Sequence, residues 1–332
     1  MYHIPVMLTE AVDALDVTPG GLYVDCTGGG GSHSAEILRR LCGTGLLIVI
    51  DRDPDAIAEL HKRFDGMTNA VIVHDEYENI KDILESLAPG RRADGILVDI
   101  GSSSHQYDEA SRGFSYHADA DAPLDMRMSQ SGVSARDIVN NYSYEQLVYV
   151  ISTLGDEKFA PRIASNIIKR RGEAPIETTS QLVDIIKASK PQKELKKRGH
   201  PAQKTFQALR DETNCISSHL EASVDAMFCS LNRGKGRLSI LTFSSHEDRI
   251  VKTKFRSYAS PCICPPELPV CVCHRMPLAA VNKSVTPSEA EIQNNPRARS
   301  ARLRSLKKIR DTYFDEIDDA DGTDGSDRLD ER

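Results

Sequence analysis

The sequence predicts an open, Rossmann-like α/β sheet interrupted by a helical insertion, and three observations carry that reading. Four short apolar runs precede residue 101: LYVDCT (22–27), LLIVID (46–51), AVIVHD (70–75) and GILVDI (95–100). Segments with helical spacing separate them, and strands alternating with helices at this interval indicate βαβ units and a parallel sheet. The alternation stops after Ile100 and resumes only at RLSILTFSS (237–245), after a long helical stretch. A chain of 332 residues has room for such a domain and its insertion.

Taken in order, the first run leads into four consecutive glycines, Gly28 to Gly31, and then a helix over Ser34–Leu41. Helices are expected over Pro54–Phe64 and Ile80–Leu87. Each strand ends near an acid, and ligands of such sheets sit at the carboxyl ends of the strands. Residues 101 to about 130 are polar; from Ser134 to about Lys190 the pattern is helical. One long helix is expected from Ala202 to Leu231, stopped by NRGKG. The boundaries that follow are a first sheet half at 1–104, an inserted helical substrate-recognition domain at 105–205, and a second sheet half with a basic end at 206–310. An acidic tail at 311–332 has the composition of disorder. No internal repeat is apparent.

Charge is unevenly spread. The net of −7 comes from the tail, where residues 311–332 hold ten acids and two arginines. PRARSARLRSLKKIR (296–310) has seven basic residues and no acid, and seven more lie between Lys187 and Lys204. Basic clusters on a neutral body fit a polyanionic partner, and a solvated helix face fits either cluster equally well. No apolar run approaches the roughly 20 residues of a membrane span. The N-terminus lacks the pattern of a signal peptide. A cytoplasmic protein with no membrane and no DNA partner is expected, a homodimer being compatible with the sequence. Cys26, Cys42, Cys215 and Cys229 read as small core residues. Cys262, Cys264, Cys271 and Cys273 are grouped, but as C-x-C pairs rather than the usual C-x-x-C of zinc sites. Reduced thiols are the default there, with zinc the alternative.

The glycine run fits neither of two common nucleotide motifs. A P-loop needs a lysine after its last glycine, and G-x-G-x-x-G fails in both frames, falling on His33 or Ser34. What remains is an acid at each strand end around a glycine loop: Asp25, Gly28–Gly31 and Asp51. S-adenosylmethionine (SAM) suits that pattern, because it has no pyrophosphate and carries sulfonium and ammonium charges that favour carboxylates. Asp75 is placed to reach an adenine amino group. At the fourth strand end, Asp99-Ile-Gly-Ser-Ser-Ser104 lies where amino-group methyltransferases carry a catalytic acid or amide. A carboxylate accepting hydrogen bonds from a nucleobase amine would restore its nucleophilicity and align it. A helix cap or an orienting role is the plainer reading of Asp99.

The chain resembles the RsmH (MraW) family of SAM-dependent methyltransferases, which act on N4 of a cytidine in small-subunit ribosomal RNA. The likeness runs through HIPVMLTEAV (3–12), DCTGGGGSHS (25–34), IDRDPDAI (50–57) and DGILVDIGSSSHQYD (94–108). It continues through RGFSYHADADAPLDMRM (112–128), GDEKFAPRIASNI (155–167), HPAQKTFQALR (200–210), GRLSILTFSSHEDRIVK (236–252) and NPRARSARLR (295–304). The resemblance implies a class I SAM-dependent methyltransferase sheet with an inserted helical domain. It implies SAM contacts at Gly31, Ser32, His33, Asp51, Tyr77, Asp99 and Gln106, so Tyr77 displaces Asp75. It also implies a substrate that is the assembling small subunit with its 16S rRNA, modified at cytidine 1402 in conventional numbering. Substrate candidates are Ser103, Ser104, His200 and Lys204, with Arg210 beside them. Asp125 and Arg127 fit a cytidine pocket or a structural ion pair equally, and Arg112 and Phe114 a base-stacking site or the core. Departures from the family pattern fall at Gly28, where a larger residue is usual, and at Ser32, where glycine is usual. Ser244 and His246 replace a histidine and a leucine, and Ser245 with Asp248 reads as a capping pair. If position 32 needs a positive φ, serine there is strained. The rival functions are a small-molecule SAM methyltransferase and a SAM- or RNA-binding assembly factor without turnover. A cytosine-C5 enzyme is disfavoured, since no cysteine lies at the fourth strand end.

Overall fold

A computed structural model describes residues 5–117 and 122–314. The tail from 315 onward and the ADAD stretch at 118–121 lie outside the described residues. Among the described residues, seven strands form one sheet: β1 (Leu22–Asp25), β2 (Leu46–Asp51), β3 (Ala70–His74), β4 (Gly95–Asp99), β5 (Arg237–Thr242), β6 (Ala279–Val281) and β7 (Arg302–Lys308). Their order is β3-β2-β1-β4-β5-β7-β6. The first five are parallel, and β7 runs antiparallel to β5 with β6 antiparallel to it. This is the class I methyltransferase sheet. Val24 pairs with both Ile48 and Ile96, so β1 lies where the chain turns from one direction of winding to the other. The crevice outside that point is where such folds bind ligands.

Helices cover both faces. On one side α1 (Leu8–Asp13), α2 (Ser32–Leu41) and α3 (Pro54–Arg63) bury Tyr23, Leu47, Val49 and Leu97. On the other, α4 (Ile80–Leu87) packs with later helices against Leu22, Val24, Ile48 and Ile96. Burial on both faces explains why the strands read as continuous apolar runs instead of alternating ones. After β4 the short α5 (Ser104–Asp108) leads into the insertion. There α6 (Ala135–Asn141), α7 (Tyr144–Thr153), α8 (Ala160–Glu173), α9 (Thr179–Ala188) and the single turn α10 (Gln192–Leu195) precede α11 (Gln203–Asn214). A separate core holds this body together, with Leu124, Ile138, Ile151, Ile163, Ile186, Phe206 and Leu209 all buried.

The long helix expected over 202–231 is two helices, α11 and α12 (Ile216–Ser230). Cys215 breaks it in the left-handed region, φ 50°. The Asp211 carboxylate accepts both the backbone N–H and the hydroxyl of Ser217, while Arg52 donates to the Asn214 carbonyl at 2.9 Å. These groups satisfy the interrupted helix ends, so α11 packs in the insertion core and α12 turns onto the sheet. The strand expected over 237–245 stops at Thr242, because Ser244 caps α13 (Ser245–Ala259) through a capping box with Glu247. The capping pair is therefore one residue earlier than Ser245 and Asp248; Asp248 pairs with Arg304 instead.

The basic segment 296–310 follows α14 (Glu289–Asn294) as a helical turn at Pro296–Ser300 and then strand β7. Arg302 and Arg304 flank Asp248, and Lys308 is buried, donating to the carbonyls of Phe228, Cys229 and Leu231 at the end of α12. Much of its charge is structural, and neither expectation of a helix face nor of a uniform anion-binding cluster describes it. Of the four cysteines read as core, only Cys26 is buried. Cys42 and Cys215 are exposed and end helices at positive φ, and Cys229 is exposed on α12. Among the described residues no helix is long and apolar enough to cross a membrane.

Candidate active site

The glycine run leaves β1 as a tight loop. Gly28 N–H bonds the Ile50 carbonyl at 2.9 Å, Gly31 N–H returns to Gly28 at 2.7 Å, and Gly29 and Gly31 take positive φ, 49° and 74°. A Cβ at Gly28 would sit 2.6 Å from Leu60 Cδ1 and from Val49 Cγ1, so the larger residue usual in the family needs those side chains to shift. Ser32 opens α2 and is not among the residues at positive φ, so the strain expected of it is absent. The left-handed turn falls on Gly31 instead.

Around this loop lie the acids, and they differ in what they can do. Asp25 is fully buried and takes no part in lining the cavity. Its oxygens receive Ser34 Oγ at 2.6 Å and Thr27 N–H at 3.2 Å, making it a buttress of the loop rather than a ligand group. Asp51 accepts Gly29 N–H at 2.7 Å and Asp53 N–H at 2.8 Å, and faces the cavity. Asp99 lies across from it at the end of β4, its backbone N–H bonded to Thr27 Oγ1 at 2.7 Å. The Asp99 carboxylate is 3.7 Å from His33 Nδ1, whose other nitrogen meets the Val6 carbonyl at 3.2 Å. Burial pushes Asp99 and Asp25 up to about 7 and Asp51 to about 6. Tyr77 lies half-buried in the turn after β3 and borders the cavity. Asp75 also borders it, but one oxygen of its carboxylate is spent on Glu76 N–H and Asn79 Nδ2, both at 2.7 Å.

The cavity has a volume of about 680 Å3. Gly28–Gly30, Ser32, His33, Asp51, Tyr77 and Asp99 line it, as do Ser103, Ser104 and Gln106 from α5. Gly31 itself turns toward Arg63 and Leu60. Gln106 has both ends of its amide in use, on Asp53 at 2.6 Å and on Ser103 N–H at 3.0 Å in a capping box. It fixes α5 against the loop after β2.

Most of the substrate candidates from the insertion are placed elsewhere. Arg112 is buried, pairs with Asp53 and Asp55, and donates to the Arg127 and Met128 carbonyls, which leaves no guanidinium face for a base. Phe114 is core. Arg127 grips Asp125 at 2.6 Å in an intramolecular ion pair away from the cavity. Lys204 caps the Asp156 carbonyl at 2.8 Å, and His200 stacks on Tyr116 with ring centroids 4.7 Å apart. Neither Lys204 nor His200 reaches the cavity wall, whereas Tyr116, His117 and Arg210 do. Arg210 and Arg297 lie over the Tyr107 ring at 5.1 and 5.3 Å, and Arg299 is exposed at the same rim. Sequence reasoning named Arg210 and marked the 296–310 cluster as basic, but did not show that Arg297 and Arg299 join Arg210 at one rim, because they belong to the far end of the chain. It also missed Glu247, which lines the cavity from α13, is held by Phe243 and Ser244 N–H groups, and is pushed up to about 7 by burial. The local signals for the aromatic wall were Tyr107 in SSSHQYD and the SYH triplet at 115–117.

The cavity thus has a carboxylate-lined end beside a glycine loop, and a basic, aromatic mouth. A family model for MraW methylases matches residues 1–309. The chain belongs to the MraW methylase family. It is 48% identical over 312 residues to the ribosomal RNA small subunit methyltransferase H of Symbiobacterium thermophilum, covering 93% of this chain and 97% of that protein. The protein of the same name from Clostridium botulinum is 47% identical over 310 residues, covering 92% and 99%. SAM fits the acidic end of this MraW-family cavity: Asp51 and Asp99 line it beside the glycine loop, toward a ligand with two cationic centres. Bound cations would favour the ionised carboxylates that burial alone disfavours.

Proposed function

We propose that the protein transfers a methyl group from SAM to N4 of a cytidine in 16S rRNA of the small ribosomal subunit, the position numbered 1402 in the family it resembles. The observation that carries this reading is the two-ended cavity, lined by Asp51 and Asp99 at its acidic floor and by Tyr116, His117, Arg297 and Arg299 at its basic, aromatic mouth. When bound, SAM supplies an electrophilic methyl group on a sulfonium. The glycine loop and Asp51 hold the donor, and Tyr77 covers its base. Arg297 and Arg299 meet backbone phosphate, while Tyr116 and His117 offer faces to a base swung out of its strand. Asp99 accepts a hydrogen bond from the cytosine amine, whose lone pair is otherwise delocalised into the ring, and orients it for in-line attack. Transfer would form the C–N bond as the C–S bond breaks, releasing S-adenosylhomocysteine, and the amine proton would then pass to the Asp99 carboxylate or to water.

The test is incubation with isotope-labelled SAM and small subunits from cells lacking the activity, followed by nucleoside mapping. N4-methylcytidine is expected. Label on a ring carbon or a ribose, or no label at all, overturns the proposal. Asp99→Ala should abolish transfer and leave RNA binding largely intact; undiminished transfer would remove Asp99 from the mechanism.

A further inference from the structure

The loop between α13 and β6 brings Cys262, Cys264, Cys271 and Cys273 to one point, all four sulfurs lying within 4.8 Å of one another. The separations are 3.6 Å for Cys262–Cys271, 3.9 Å for Cys264–Cys271, 3.5 Å for Cys271–Cys273 and 3.8 Å for Cys262–Cys273. A tetrahedral zinc with Zn–S bonds of about 2.3 Å spaces its sulfurs about 3.8 Å apart. Two disulfides would instead draw the sulfurs together pairwise, and an iron–sulfur cluster would spread them around several metal atoms. The C-x-C spacing that argued against zinc in the sequence is met by two strands of loop facing each other, each presenting two thiols.

Two further observations point the same way. Residues 262–273 contain no buried side chain, and Ile263, Val270 and Val272 are exposed at 65, 71 and 63%. An ordered loop of that length has to offset its conformational entropy somewhere, and here apolar burial contributes almost nothing. The Val272 N–H also points at Cys264 Sγ at 3.3 Å, a bond that stabilises a metal-bound thiolate.

We infer that these four cysteines form a structural zinc site that pins the α13–β6 loop and with it the edge strand β6. Four thiolates close the coordination shell, leaving no open position for chemistry. The site follows the end of α13 away from Glu247 and the cavity, about 18 Å along the helix from Glu247 to Ala259. It is therefore independent of the methyl-transfer reading.

The experiment measures metal in the full-length protein by mass spectrometry after exhaustive dialysis, alongside a thiol count. One zinc per chain is expected, with four of the eight cysteines reacting only after the zinc is displaced. Cobalt reconstitution of the stripped wild type should give the charge-transfer and visible bands of a tetrahedral thiolate site. Cys271→Ser should lose the zinc, expose the loop to limited proteolysis and keep methyl transfer. No metal after reconstitution, zinc retained in Cys271→Ser, or iron taken up in preference would each overturn the assignment. Because the cobalt spectrum is read on the wild type, a variant that fails to fold does not decide the matter.

Discussion

Asp99 is held in a surrounding that opposes its charge until a cation arrives. Burial, reinforced by the nearby Asp25 charge, raises it from the ordinary 3.8 to about 7, and burial does the same to Asp25. Acids raised in the folded state contribute stability that is fully present below about pH 4 and lost as pH rises through about 7. The ligand-free protein should therefore melt at progressively lower temperature from pH 5 to pH 8. SAM affinity should move the opposite way, tightening over the same window as the carboxylates ionise against its sulfonium and ammonium. Thermal melts and calorimetric titrations across that range check both trends, and Asp99→Asn should make both shallower, with Asp25, Asp51 and Glu247 still titrating, while slowing methyl transfer roughly 10²- to 10⁴-fold. A melting temperature that climbs from pH 5 to pH 8, or an affinity indifferent to pH, would contradict the assignment.

The break between α11 and α12 shows what an element needs beyond its sequence pattern. Cys215 is exposed at φ 50°, a conformation in which a side chain costs about 1–2 kcal/mol. Cys215→Gly should raise stability by about 0.5–1 kcal/mol, and Cys215→Val should lower it, read by urea denaturation. Loss of stability in the glycine variant would mean that the thiol itself is needed. The helical spacing on both sides of Cys215 was legible, but the break was not, because the groups that satisfy it, Arg52 and Asp211, act across the fold and the turn. The parallel strands were legible because burial on both faces makes each a dense apolar run. By contrast β7 was hidden: RLRSLKK reads as charge, and only pairing with β5 reveals that Leu303 and Leu306 are buried in the cores on opposite faces of the sheet while Arg302 and Arg304 meet Asp248. The same limit applies at the site. Asp51 and Asp99 could be proposed from strand ends, whereas the strand-end reading gave Asp75 and only the family resemblance pointed to Tyr77. Arg112, Gln106 and Arg127 carry motif residues whose polar atoms the fold spends internally, which spacing cannot show.

At the scale of the molecule, the fold joins two electrostatic environments that a small-molecule methyltransferase would not need. The acidic floor comes from the ends of β2 and β4, and the basic rim from Arg210 of α11 with Arg297 and Arg299 just before β7. Segments far apart in sequence meet there because β7 inserts beside β5, carrying the 296–300 turn to the cavity mouth. The two ends should respond differently to salt. Arg299 is exposed, and Arg297 is exposed over the Tyr107 ring and paired with an exposed Asp108, so both can exchange their surroundings for phosphate. Binding of small subunits should weaken steeply between about 50 and 200 mM salt, whereas SAM binding, made in a buried pocket, should change little. Arg297→Ala with Arg299→Ala should lower subunit affinity and reduce the slope of log affinity against log salt by about 1 for each phosphate that is no longer neutralised. The SAM dissociation constant should stay unchanged in that double variant. If SAM binding weakens as much as subunit binding, the rim belongs to the donor pocket, and the division of the cavity into a donor end and an RNA end fails.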